Sequence, residues 1–146
     1  MIYWRMPLFL REFDPTTDEI NAALDGELHP KAIQGIELIN QGQYWDAHEA
    51  LEEAWLDEPG TIRALYKGIL QAGVMLLQIE RENLIGALKL YKRGQVWLAP
   101  WPDTVRGVQV GRLRDDVAAA IRAAMALGPD GLAEFDPDIF FQVHVA

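Results

Sequence analysis

The chain has no cysteine and no serine among its 146 residues. The first absence removes disulfides, thiolate metal ligands and a cysteine nucleophile. The second removes the serine hydrolases, whose chemistry needs an activated seryl oxygen. Side-chain hydroxyls are confined to four threonines and four tyrosines. No stretch reaches the roughly 18 uninterrupted apolar residues of a membrane span, so no membrane partner is expected. The segment from Met1 to Leu10 is apolar but short. It has neither a basic leader nor a small-residue cleavage site and does not read as a signal peptide. A cytoplasmic location is the resulting expectation.

Basic residues are scarce in the first part of the chain. Residues 1–60 carry 13 acids against 3 bases, whereas residues 61–146 carry 9 acids against 10 bases. Between Asp46 and Glu58 there are six acids and no base. A net charge of -9 argues against a nucleic-acid partner, because that binding rests on neutralising phosphates. The acidic half is either a solvated face or a site for cations and basic partners, the solvated face being the commoner outcome.

Half the residues are hydrophobic, and the length suits one domain over residues 1–146 with a substantial core. The periodicities predict an all-α fold, a compact bundle of about five helices. Residues 1–29 read as irregular, with a short helix that Thr16 or Thr17 caps and that ends near Leu24. Pro30 opens the first clear helix, with Ile33, Ile36 and Ile39 as its stripe and Gly42 as a left-handed stop. The second runs from about Tyr44 to Leu56, with Trp45, His48, Leu51 and Trp55 on one face. Thr61 is expected to cap a third, through about Arg81, that is apolar nearly all round and therefore central. Asn83 caps a fourth through Leu98, and a last helix spans about Arg112 to Leu127. The tail from Gly131 to Ala146 holds Phe135, Phe140, Phe141 and Val143, so it packs on the bundle or on another subunit.

A weak repeat relates residues 46–55 to residues 86–95, forty positions later. Each segment is the second helix of a helical hairpin. Gly42-x-Tyr44-x-x-Ala47 is also similar to the small-residue pattern of tetratricopeptide helices, but a solenoid needs about three copies. Two stacked hairpins in a compact bundle are expected instead.

The chemistry concentrates in the second and third helices. His48 and Glu52 are four apart and meet on one helix face, and Glu49 and Glu53 form a parallel pair. Such residues can hold a divalent metal or act as an acid/base pair. The spacing is not that of zincins, which place a second histidine four residues after the first. On the third helix Lys67, Gln71 and Gln78 share one stripe. Buried polar groups left unpaired cost about 1–3 kcal/mol each. A polar seam between the two helices is therefore expected, with Gln71 meeting His48 or Glu52. The alternative for His48 is a hydrogen-bonded core residue that only fixes packing. Trp55 is expected in the core, Trp97 and Trp101 as packing anchors, and His29 as a surface or capping residue. His144 is too near a chain end to carry a role.

The residues Gly35 through Asn40, Gly42, Tyr44, Ala47-His48-Glu49, Leu51-Glu52 and Trp55 resemble a small helical family known as domain-of-unknown-function family 309. The resemblance continues through Gly68-Ile-Leu-Gln71 and Asn83-x-x-Gly86-Ala87 and covers about residues 29–98. It implies an all-α bundle of uncharacterised function, with His48, Glu49, Glu52 and Gln71 as the candidate site. The family is sometimes labelled a predicted metal-dependent hydrolase. Relatives often carry histidines at the positions of Leu77 and Gln78, which this chain lacks. A catalytic zinc typically takes three protein ligands, so the loss weakens a zinc-hydrolase reading here and leaves a carboxylate-rich site.

The leading expectation is a non-enzymatic domain that self-associates, as a homodimer through its apolar tail, or binds a protein partner. The alternative is a metal-dependent hydrolase centred on His48 and Glu52, with those two residues as the candidate ligands of a divalent metal. A third is a small-ligand pocket between the two helices.

Overall fold

A computed structural model describes residues 13–146, so the apolar segment Met1–Leu10 lies outside the described residues. Among the described residues six α-helices carry the fold: α1 (Thr17–Ala23), α2 (Pro30–Asn40), α3 (Tyr44–Asp57), α4 (Arg63–Glu80), α5 (Leu84–Leu98) and α6 (Val110–Leu127). A two-stranded antiparallel hairpin, β1 (Thr104–Val105) and β2 (Val108–Gln109), precedes α6. The Gly107–Gly111 segment read as extended is thus the second strand and the start of α6, which begins two residues before the expected Arg112.

The helix starts follow local chemistry. Thr16 caps α1 through a reciprocal box, its hydroxyl accepting from the Glu19 N–H at 3.1 Å while Glu19 accepts from the Thr16 N–H at 3.0 Å. His29 caps α2, its Nδ1 accepting from the Lys31 N–H at 3.0 Å. Asn83 caps α5 by accepting from the Gly86 N–H at 2.9 Å. Thr61 does not cap α4. The N-cap is Ile62, without a side-chain bond, because residues 60–62 already turn and their carbonyls take the first N–H groups.

The forty-residue repeat has a structural counterpart in the two hairpin turns. After α2, the Gln43 N–H donates to the Leu38 carbonyl at 2.9 Å and the Gly42 N–H to Ile39 at 2.9 Å. After α4, the Asn83 N–H donates to Gln78 at 2.8 Å and the Glu82 N–H to Ile79 at 3.0 Å. Both are Schellman turns in the same register, and both need a left-handed residue. The first uses Gly42 at φ 77, the second Glu82 at φ 60. The α2/α3 and α4/α5 hairpins stack, and α3, α4 and α5 lie side by side with α4 in the middle.

The core follows from that position. Most of α4 is buried, including Leu65, Tyr66, Ile69, Met75 and Leu76. Small residues let neighbours approach: a Cβ on Gly35 would overlap Leu51, and one on Gly68 would stand 2.6 Å from Leu98. The inward stripe of α2 is Ala32, Gly35, Ile36 and Ile39, whereas Ile33 turns outward at 44% exposure. On α3 the buried set is Tyr44, Ala47, Ala50, Leu51 and Ala54. Trp45 is therefore off the core face on which the periodicity placed it, and Trp55 is only partly buried. Trp97 and Trp101 are buried anchors, with Phe13 stacked on both.

The tail packs on its own bundle. Phe135, Phe141 and Val143 are buried, and Phe140 stacks on Tyr44 at 6.1 Å. Asn40 clamps Val143 in both directions, donating to its carbonyl at 3.0 Å and accepting from its N–H at 2.7 Å. The Gln109 N–H donates to the His144 carbonyl at 2.9 Å, and the Ala146 N–H to Gly107 at 2.8 Å.

Two tyrosines, Tyr66 and Tyr44, are buried. Tyr66 on α4 accepts from the His29 N–H at 2.9 Å, which fixes the start of α2. Burial raises its pKa, and burial with the Glu80 charge pushes that of Tyr44 up to about 12. Such phenols stay protonated in the native state while the unfolded chain ionises, so their contribution is present below pH 10.0 and lost at more alkaline pH, for Tyr44 towards about 12. Tyr44→Phe is expected to flatten the alkaline decline of the melting temperature across that window. Tyr66→Phe is expected to cost about 1 kcal/mol in denaturant unfolding at neutral pH, because the part-buried His29 N–H loses its acceptor. The paired turns predict opposite signs by the same measurement. Gly42→Ala should cost about 1 kcal/mol, while Glu82→Gly should add up to about 1 kcal/mol by relieving a left-handed side chain.

Candidate functional site

The site residues start from the turn at Gly42, which sets the rotation of α3. With Tyr44, Ala47 and Leu51 inward, the 3.6-residue period puts His48 and Glu52 at the helix margin and Trp45, Asp46 and Glu49 in water. His48 Nε2 lies 3.3 Å from a Glu52 carboxylate oxygen. The indole of Trp45, 52% exposed, stacks on the imidazole with ring centres 5.3 Å apart. His48 Nδ1 is buried and has no hydrogen-bond partner.

The acids of α3 divide into answered and unanswered charges. Glu53 pairs with Lys31 at 3.4 Å and Asp57 with His29 at 2.7 Å, which bolts α3 to α2. Asp46 and Glu49 have no ion-pair partner among the described residues.

The expected seam is brought together in part. Trp55 of α3 receives two cations from α4, Lys67 at 4.5 Å and Arg63 at 4.7 Å from its ring centre. Partial burial lowers the Lys67 pKa; the Glu52 charge opposes this and Arg93 adds to it. Gln71 is buried at 6% exposure, and its Oε1 has no hydrogen-bond partner. No hydrogen bond joins it to His48 or Glu52; it lies beside α5, where a Cβ on Gly94 would stand 3.6 Å from its own. Gln78 belongs to the α4–α5 turn instead, accepting from Asn83 Nδ2 at 3.0 Å. Leu77 is buried apolar core.

Arg63, Arg93 and the His29–Asp57 pair were not singled out in the sequence. A signal for the first existed: Arg63 and Lys67 are four apart at the start of a helix, one turn from a break after Trp55. Nothing local marks Arg93 or the His29–Asp57 contact, which joins residues 28 apart. For metal chemistry, no group of three or more His, Asp or Glu side chains converges among the described residues. His48 and Glu52 would supply two ligands where a catalytic zinc typically takes three.

An uncharacterized protein of Aquifex aeolicus (strain VF5) is 32% identical over 98 residues, which cover 59% of this chain and 29% of that protein. The chain thus spans less than a third of that relative's length. The family model for a domain of unknown function, DUF309, matches residues 32–90, from α2 into α5. The matched segment carries His48, Glu49, Glu52, Lys67, Gln71 and Gln78 on the stacked hairpins and is similar to the DUF309 domain.

Proposed function

We propose that the domain is a docking module whose α3 face receives a basic segment of a protein partner. The observation that carries this reading is Trp45, a large indole held half in water with Asp46 and Glu49 beside it. Exposed tryptophan is a common anchor of interfaces, and an arginine or lysine over its face gains about 0.5–2 kcal/mol. The two carboxylates without ion-pair partners would answer the partner's remaining charge and speed encounter. Stacking on His48 holds the indole in one orientation, which lowers the ordering cost of binding.

Self-association is the second form of the same reading. Its original support, an apolar tail, is weakened because the tail's phenylalanines and Val143 are spent on the chain's own bundle. The metal-dependent hydrolase reading keeps one observation in its favour, the buried and unpartnered Nδ1 of His48 beside Glu52. A divalent metal held there would need further ligands from outside the described residues or from water.

Titration with an arginine-rich peptide in a calorimeter tests the docking reading. Trp45→Ala is expected to weaken binding about tenfold, in line with the loss of one well-placed cation–π contact and its apolar area. An affinity that Trp45→Ala leaves unchanged, and that tracks net charge alone, would sink it. Metal analysis of untagged protein separates the hydrolase reading: substoichiometric metal, equal in wild type and His48→Ala, is the expected result.

A further inference from the structure

Away from Trp45 and His48, the C-terminal tail presents an open strand edge to a groove along α2. The tail runs antiparallel to β2, with Val145 opposite Val108. The bonds that flank this pair run from the Gln109 N–H to the His144 carbonyl at 2.9 Å and from the Ala146 N–H to the Gly107 carbonyl at 2.8 Å. In a ladder of that pattern, the N–H and C=O of the facing residues point away from the partner strand. The backbone groups of Val145 are therefore turned to the opposite edge of the tail.

Residues two apart in a strand share an edge, so Val143 shows what lies there. The Asn40 side chain of α2 holds both backbone groups of Val143, accepting at 2.7 Å and donating at 3.0 Å. A side-chain amide thus stands where a further strand would pair. One step along the edge, nothing takes its place. Neither the N–H nor the C=O of Val145 has a hydrogen-bond partner among the described residues. Open edge groups of this kind are a template for another chain.

The edge borders a groove of about 680 Å³ between the tail and α2, lined by Val143 and Val145 on one side and by Leu28, Ile33 and Ile36 on the other. Ile33 and Val145 are large apolar side chains left 44% and 47% exposed in this one groove. Glu27 and Glu37 also line it, and neither has an ion-pair partner among the described residues. Arg106, the cation of the lining, spends its Nε and Nη1 on the carbonyls of Ala23 and Glu27 at 2.8 and 2.9 Å. An open backbone donor and acceptor select an extended backbone, and an apolar wall beside them selects alternate apolar side chains. The two carboxylates select a basic flank. We propose that this groove receives an extended segment of a partner protein, which pairs its backbone with Val145, lays apolar side chains on Ile33 and its neighbours, and sets a lysine or arginine beside Glu27 and Glu37. The groove does not use Trp45 or His48, so it stands or falls apart from the docking reading at α3.

The probe is the capped peptide Lys-Thr-Val-Thr-Val-Thr-Lys, added to the intact chain. The readouts are its calorimetric affinity and the hydrogen exchange of the Val145 amide by NMR, assigned by its loss in Val145→Pro. The peptide is expected to bind saturably and to slow exchange of that amide. Of two versions N-methylated at alternate residues, each blocking one edge of the peptide, one is expected to lose binding and the other to keep it. Val145→Pro removes the open donor at a strand edge, where proline is tolerated. It is expected to weaken the peptide about tenfold, the value of one hydrogen bond. Ile33→Gln, at an exposed position, should weaken it too, and so should glutamates in place of the peptide's lysines. Circular dichroism on both variants separates a lost site from a lost fold. The proposal is overturned if the peptide leaves the Val145 amide unprotected, or if both folded variants bind it as wild type does. It is equally overturned if the N-methylated versions both bind or both fail, or if the glutamate peptide binds as well. A Val145 amide already protected in the free chain also overturns it, since a second copy then fills the groove of a dimer, or the chain itself that of a monomer.

Discussion

Helix α4 is apolar on nearly every side and must be covered on both flanks. That single requirement arranges the other elements. Hairpin α2/α3 covers one flank and α5 the other, while α6 and the tail close the remaining core. The covering works only at short range, because cores lose dispersion energy steeply with distance. Gly35 beneath Leu51 and Gly68 beneath Leu98 provide that closeness. Gly35 and Gly68 are thus places where a methyl group would push helices apart.

A helix buried so thoroughly has one margin left for polar groups, and Lys67, Gln71 and Gln78 occupy it. The structure resolves them into three different situations. Lys67 shares the Trp55 ring with Arg63, Gln71 is buried beside α5 with an open carbonyl, and Gln78 braces the next turn. The stripe is therefore a boundary between three helices and not a seam between two. On its α3 side the half-buried His48–Glu52 pair lies beneath the exposed Trp45 stack, the surface on which the docking proposal rests.

Particular residues show why part of this was legible. The all-round apolarity of residues 65–79 announced a central helix, since no amphipathic alternative exists for such a stretch. Thr16, His29, Pro30, Gly42 and Asn83 marked helix ends because caps and left-handed stops act within a few residues. Trp45 was misplaced because a helical wheel with Trp45, His48, Leu51 and Trp55 looks as apolar as the true face. The true face instead uses Tyr44, Ala47, Ala50 and Ala54, where small side chains let α3 lie close to its neighbours. Glu82 gave no warning at all. Its left-handed backbone is imposed by the turn and is recognisable only by superposing it on Gly42.

The sequence by itself determined the helices, the double hairpin and the likeness of its central segment to DUF309, because periodicity, caps and turn chemistry are local. Tertiary structure alone decided which polar groups meet. The pairing of His29 with Asp57 and the gathering of Arg63 and Lys67 on Trp55 depend on helix rotation and spacing. Those are set by how the whole core packs around α4, a sum of many small contacts that no single stretch of the chain records.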